Sequence, residues 1–206
     1  MRSVRWWALL SAGIAPIALI GGWAAAGALQ PPGYSPIVQT ISALAAHGAA
    51  DRWVMTIALY ALGACHVVTS LGLRIAALPG RAMLACGGVA TMLVAVFPEP
   101  AGGGTSTGHV IAATAAIVAL ALWPVLASSS GLGQSWVLAR VPSAAVTVLL
   151  LVFGAWFLVE LHSGGGQVGL AERVLTGVQA LVPLAVAVGV ARRPGVEQPD
   201  RRDGAQ

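Results

Sequence analysis

Glu99 and His109 flank one short polar stretch of this chain, and Glu160, His162, Glu172 and Arg173 punctuate another. His47 and Asp51 close a third. Carboxylates beside imidazoles supply the proton donors and acceptors of general acid–base catalysis, and the same groups are zinc ligands. His109, His162, Glu160 and Glu172 are therefore the candidate catalytic set of a membrane-embedded hydrolase or metalloenzyme, provided that they converge. No HxxxH or HExxH spacing occurs, so neither a metal nor a cofactor is expected. A haem pair would need histidines at one depth, whereas His66 is expected in the inner half of the second apolar run and His109 at the outer end of the fourth. His66 is the only ionisable side chain well inside such a run, a costly and often functional placement. Two readings of it stand: a neutral ring hydrogen-bonded to Thr69, Ser70 or a carbonyl, or a proton-relay or substrate-binding group. Cys65 and Cys86 lie in apolar runs and read as small hydrophobes.

The elements that must position these groups follow from composition. Of 206 residues, 57% are hydrophobic and only 9% charged, with a mean hydropathy of +0.83, where a soluble domain carries about 25% charge. Soluble, disordered and nucleic-acid-binding classes are excluded, the last because the arginines are scattered between apolar runs. Six runs approach the roughly 20 apolar residues that cross a bilayer: 6–29, 53–73, 82–97, 109–126, 141–159 and 174–191. They lack the period of two that marks a strand barrel. The first is too long for a signal-peptide core and is read as a retained helix. The fold class is all-α: a six-transmembrane-helix bundle, one domain over residues 1–192, with a disordered cytoplasmic tail at 193–206. With the N-terminus inside, nine of the eleven arginines fall on the cytoplasmic side and only Arg52 and Arg173 outside, as the positive-inside rule requires. The chain is thus expected to be a multi-pass protein of the cell (inner or plasma) membrane with both termini cytoplasmic, and 128–140 an inner loop. Trp6, Trp7, Trp53, Trp123, Trp136 and Trp156 are placed as an aromatic belt. Small residues such as Gly21, Gly22, Ala26, Gly63, Gly72, Gly87, Gly88 and Gly154 predict close helix packing and no wide pore.

This topology puts every acid before residue 193 on the outer side, with three of the four histidines. The first outer loop, from Tyr34-Ser35-Pro36 to Gln39-Thr40-Ile41-Ser42, predicts a short amphipathic interfacial helix over about 36–46. Ser35 would be its N-cap, Pro36 its first residue, and Gly48 its stop. Ile37, Ile41 and Leu44 share one face; Ser35, Gln39 and Ser42 share the other. Such a helix is either a cap over the bundle or the wall of a binding site. Glu172 is placed in a first helical turn, where its charge suits the helix dipole, and Arg173 is expected to pair with Glu99 or Glu160. An anion site at the outward N-termini of helices two, four and six would be offset by the C-termini beside them. Tyr34, Ser35, Gln39, Ser42, Glu99 and Arg173 are the candidate binding residues.

The motif Tyr34-Ser35-Pro36 through Gln39-Thr40-Ile41-Ser42-Ala43-Leu44 resembles the domain of unknown function 998 family of small bacterial and archaeal membrane proteins. Phe97-Pro98-x-Pro100, Gly108-His109 and Gly169-Leu170-x-Glu172-Arg173 are similar to its other marks, and the likeness covers about residues 6–192. Ala43 stands where the family often has an acid, and Glu99 where an Asp is frequent. The resemblance implies the six-span architecture and a distinctive outer face, and no activity. The leading expectation is an integral membrane protein of unknown activity, with the bilayer as its partner and a small-molecule, lipid or protein site on the outer polar face. The alternatives are the hydrolase or metalloenzyme above, and a small transporter, which would need a midplane cavity reached by discontinuous helices; no span has a strong central break, Pro124, Pro183 and Pro16 coming closest, and no internal repeat is evident. The sequence does not give an oligomeric state.

Overall fold

The computed structural model describes residues 4–129 and 135–192; the tail at 193–206 lies outside the described residues, as does 130–134 of the expected inner loop. The described residues form seven α-helices and no strand: α1 (Trp6–Ala28), α2 (Ile41–Ala45), α3 (Trp53–Gly72), α4 (Leu78–Val96), α5 (Thr107–Ala127), α6 (Arg140–Ser163) and α7 (Val168–Ala191), with a 3₁₀ turn at Trp136–Leu138. All but α2 are long and apolar enough to cross a membrane. Their outward surfaces carry large hydrophobics, with Val141 80% and Ile17 72% exposed, the inverse of a water-soluble surface.

The six long helices pack in chain order, each on the next, and α7 closes back on α1. The result is a ring with α2 resting on α1, α3 and α7 at one end. The connections at that end hold Asp51, Glu99 and the Glu160–Glu172 segment; it is called here the acidic end. The opposite end carries Arg5, Arg74, Arg81, Arg140 and Arg192. There Arg81 donates from Nε to the Ser70 carbonyl (2.8 Å), satisfying a group that the end of α3 leaves open.

Several ends differ from expectation. α4 starts at Leu78 rather than 82, with Pro79 in its first turn, a position that sacrifices no hydrogen bond. α7 starts at Val168 rather than 174, so Glu172 lies in its second turn, not its first. Trp123 is fully buried with Leu73, Leu84 and Leu138 and is no belt residue, while Trp6, Trp53 and Trp136 are exposed. Pro124 sits inside α5, and the Val125 N–H donates to Thr147 Oγ1 of α6 (3.2 Å), the kind of rescue by a neighbouring helix that lets proline stay in a span.

The largest departure is the interfacial helix. Continuous helix over 36–46 would send the Thr40 N–H to the Pro36 carbonyl and the Ala43 N–H to the Gln39 carbonyl. Both carbonyls instead accept from Arg173 (2.7 Å each), and the Ala43 N–H donates to Thr40 Oγ1 (3.1 Å). The segment therefore breaks into a turn at Pro36–Val38 and the five-residue α2, capped by Thr40 rather than Ser35. Ile41 and Leu44 are buried, while Ile37 and Val38 are half exposed.

α5 is capped by Ser106, whose Oγ accepts from the His109 N–H (3.2 Å). Ser106→Ala should lower stability by about 1 kcal/mol, the usual cost of an N-cap, as a shift in thermal or detergent unfolding. No shift would mean that this cap is not formed.

Candidate functional site

At the acidic end the four sequence motifs meet in two joints. The first fastens the first connection onto the start of α7. Gly169 lies against the Pro36 and Gln39 carbonyls, where a Cβ would collide with backbone, so that turn admits only glycine. One residue on, the Leu170 N–H donates to the Ile37 carbonyl (3.0 Å). Glu172 Oε2 accepts from the Ile41 N–H and Oε1 from the Ser42 hydroxyl (3.5 Å). Arg173 donates through one terminal nitrogen to the carbonyls of Pro36, Gln39 and Gly169, and through the other to Tyr34 Oη (2.6 Å). Its guanidinium also lies 6.0 Å from the centre of the Trp23 ring, within cation–π range. Burial holds the Tyr34 phenol above its ordinary pKa, and the Arg173 charge draws it partly back; it remains a neutral hydroxyl at physiological pH.

The second joint fastens the connection after α4. His109 Nδ1 lies 2.9 Å from the Phe97 carbonyl, and Nε2 lies 3.6 Å from Glu99 Oε1. Gly108 leaves room for the Phe97 ring. The Glu99 carbonyl then accepts from the His47 N–H (2.9 Å), tying the two connections together. Desolvation pushes the Glu99 carboxyl above its usual range, and the charge of His109 opposes that in part. Gly102, Gly103 and Gly104 all have positive φ, a run that side chains would strain.

Between the two joints runs a groove of about 240 Å³, lined among others by Tyr34, Gln39, His47, Glu99, Pro100 and Gly103. It draws on both connections. Beneath α2, inside the ring, lies a second, mainly aliphatic cavity of about 70 Å³.

The expected site residues are thus distributed. Tyr34, Gln39 and Glu99 line the groove; Ser42 and Glu172 line the inner cavity. Ser35 stands beside the groove, its N–H donating to Gln39 Oε1 (3.2 Å). Arg173 bonds to carbonyls and to Tyr34 through its two terminal nitrogens, while its Nε is buried without a partner; among the described residues it pairs with neither Glu99 nor Glu160. Glu160 accepts from the Gln167 N–H (3.0 Å), and His162 Nδ1 lies 2.8 Å from the Leu158 carbonyl. His109, His162, Glu160 and Glu172 therefore serve three different local structures, and no cluster of three or more metal-ligating side chains occurs among the described residues. His66 finds none of its expected partners. Thr69 bonds to Ser11 (2.8 Å), Ser70 to the Val67 carbonyl (2.7 Å), and neither ring nitrogen of His66 has a partner.

Sequence reasoning missed Gln179, Thr91 and Thr176, all on the inner cavity. Gln179 is buried and donates to the Ile117 carbonyl of α5 (3.0 Å). The available signal was a neutral amide inside an otherwise apolar run.

A family model described as "Protein of unknown function (DUF998)" matches residues 13–189. Neither a curated protein nor a solved structure matches the chain.

Proposed function

The chain belongs to the DUF998 family, a group of unknown function, and from that premise we propose that it is a cell-membrane protein binding a small amine, free or as a lipid headgroup, in the groove at its acidic end. The arginine distribution supports placing that end outside the cytoplasm. The observation that carries the reading is the groove itself. Its lining holds the Glu99 carboxylate and no arginine; of the two guanidiniums bonded to the connection that walls it, Arg173 is committed to Tyr34 and three carbonyls and Arg52 donates to the Ala45 carbonyl (3.1 Å). A partly desolvated carboxylate at the wall of a concave site favours a cation that brings its own hydrogen-bond donors. Gln39, Tyr34 and the exposed His47 add polar contacts suited to an ammonium or its neighbouring hydroxyl. The hydrolase reading has no convergent nucleophile and base behind it, and the groove needs no chemistry to account for it.

Ethanolamine is the simplest probe. Titrated into the protein in lipid nanodiscs, it should bind saturably. Glu99→Gln should weaken it about tenfold, equivalent to about 1.4 kcal/mol. Binding needs the ionised carboxylate, so affinity should rise as pH climbs through the raised pKa of Glu99. Stability runs the other way. A carboxyl whose folded pKa lies above its unfolded value favours folding most below that unfolded value, and the advantage disappears as pH rises through the folded one. Glu99→Gln should lack both trends. Equal affinity for ethanolamine in the two proteins, or tighter binding at acid pH, contradicts the proposal.

A further inference from the structure

The cavity inside the ring has a separate chemistry from the groove. It draws Leu19 from α1, Leu62 and His66 from α3, Thr91 from α4, Leu120 from α5 and Gln179 from α7, and α2 and Glu172 lie over its upper part. His66 is 1% exposed. Its neutral ring has one donor and one acceptor, and neither has a partner. The polar side chains nearby are already engaged: Thr69 with Ser11, Ser70 with the Val67 carbonyl, Thr91 with the Gly87 carbonyl (2.8 Å) and Gln179 with the Ile117 carbonyl. Buried polar groups in native proteins are almost always hydrogen-bonded, so the partner of His66 comes from outside the chain.

Water alone fits poorly. The volume of about 70 Å³ would take several waters at roughly 10–15 Å³ each, and each needs two to four polar partners. The walls are largely aliphatic; Thr91, Thr176 and Gln179 already donate to carbonyls, and only His66 brings both an unpartnered donor and an unpartnered acceptor. An ion fits worse. Glu172, the other ionisable group on the lining, is already committed to the Ile41 N–H and Ser42, and no cationic side chain lines the cavity to hold an anion. A charged body beside aliphatic walls would lose its hydration without return. What remains is a neutral molecule with a hydrocarbon body and one group that both donates and accepts.

We propose that the interior of the helix ring is a binding site for a small neutral alcohol, its hydroxyl held by the His66 imidazole and its hydrocarbon part packed on the aliphatic walls between α1, α3 and α5. Space equivalent to about five waters, on the order of 150 Å³ of liquid, suits a five- or six-carbon ring. The site is independent of the groove at Glu99.

The test is nuclear magnetic resonance of ¹⁵N-histidine-labelled full-length protein in nanodiscs, with the ring-nitrogen signals of His66 identified by their loss in His66→Phe. Cyclopentanol should shift the His66 signals alone, saturably, and leave the other three histidines in place. Cyclopentane and cyclopentylammonium should not reproduce the shift. Ala116→Leu keeps His66 but fills the cavity wall, and should weaken cyclopentanol binding about tenfold or more; it serves also if His66→Phe does not fold. Glu99→Gln should bind cyclopentanol as the parent does, which separates this site from the groove. The inference is overturned if the His66 signals stay unchanged with cyclopentanol, as water alone would leave them. It is equally overturned if all histidines shift together, or if the shift survives in Ala116→Leu.

Discussion

Replacing Arg173 with Ala is expected to destabilise the protein by about 3 kcal/mol, since hydrogen bonds to a charged group contribute roughly 1.5–3 kcal/mol each and their loss leaves partners unmet. One side chain holds the carbonyls of Pro36, Gln39 and Gly169 and the hydroxyl of Tyr34. Removing it frees the two loop carbonyls that a regular helix over 36–46 would have used, and loosens the wall of the groove. Lys at this position should rescue little. A single ammonium on a flexible stem cannot hold contacts on two sides of a planar fork. Detergent or thermal unfolding of the protein in nanodiscs reads the effect directly, and a loss below about 0.5 kcal/mol, typical of an unremarkable surface change, would mean that the joint does not exist in the membrane.

Gly63→Val should cost a comparable amount, about 3 kcal/mol, at the upper end for overpacking a close contact. α3 and α4 cross with Gly63 against the Gly88 carbonyl and Met92, and Gly88 against the Gly63 carbonyl and the His66 side chain. Backbone that close has no slack, and in lipid the approach of small residues is a main source of helix association. Gly21→Val is the contrast. Nothing lies near a Cβ at Gly21, and its effect should stay within about 0.5 kcal/mol. If both variants unfold alike, the crossing at Gly63 and Gly88 is not where the structure puts it.

The helices were legible in the sequence because each span carries its own evidence: a long apolar run with polar, Pro or Gly ends. Helix α3 came within a residue of expectation for that reason. The shortening of α2 was not legible, because Pro36 to Ala46 does read as an amphipathic helix locally. What breaks it is Arg173, about 135 residues away, and a local pattern holds no record of a distant donor. The same limit explains Arg173 itself. Beside Glu172 at the start of a helix, an arginine looks like half of an ion pair, yet the loop carbonyls reach it first. Trp123 was misplaced because position near a span end does not say whether a side chain points to lipid or to the core. The four motifs singled out in the sequence pair up in the structure: Tyr34–Ser42 with Gly169–Arg173, and Phe97–Pro100 with Gly108–His109, are the halves of two joints. Glu172 belongs to the first joint and also lines the cavity; whether His109, His162, Glu160 and Glu172 meet depends on their placement in space, which no motif spacing supplies.

The joint between the first connection and α7 is the feature on which the groove and the cavity lid both depend. A double-mutant cycle on Tyr34→Phe and Arg173→Ala, followed by reversible unfolding in nanodiscs, tests it most directly. The contact from Arg173 to Tyr34 Oη predicts a coupling energy of about 1 kcal/mol or more; single-variant losses that simply add, to within about 0.3 kcal/mol, would place the two residues apart and contradict the account.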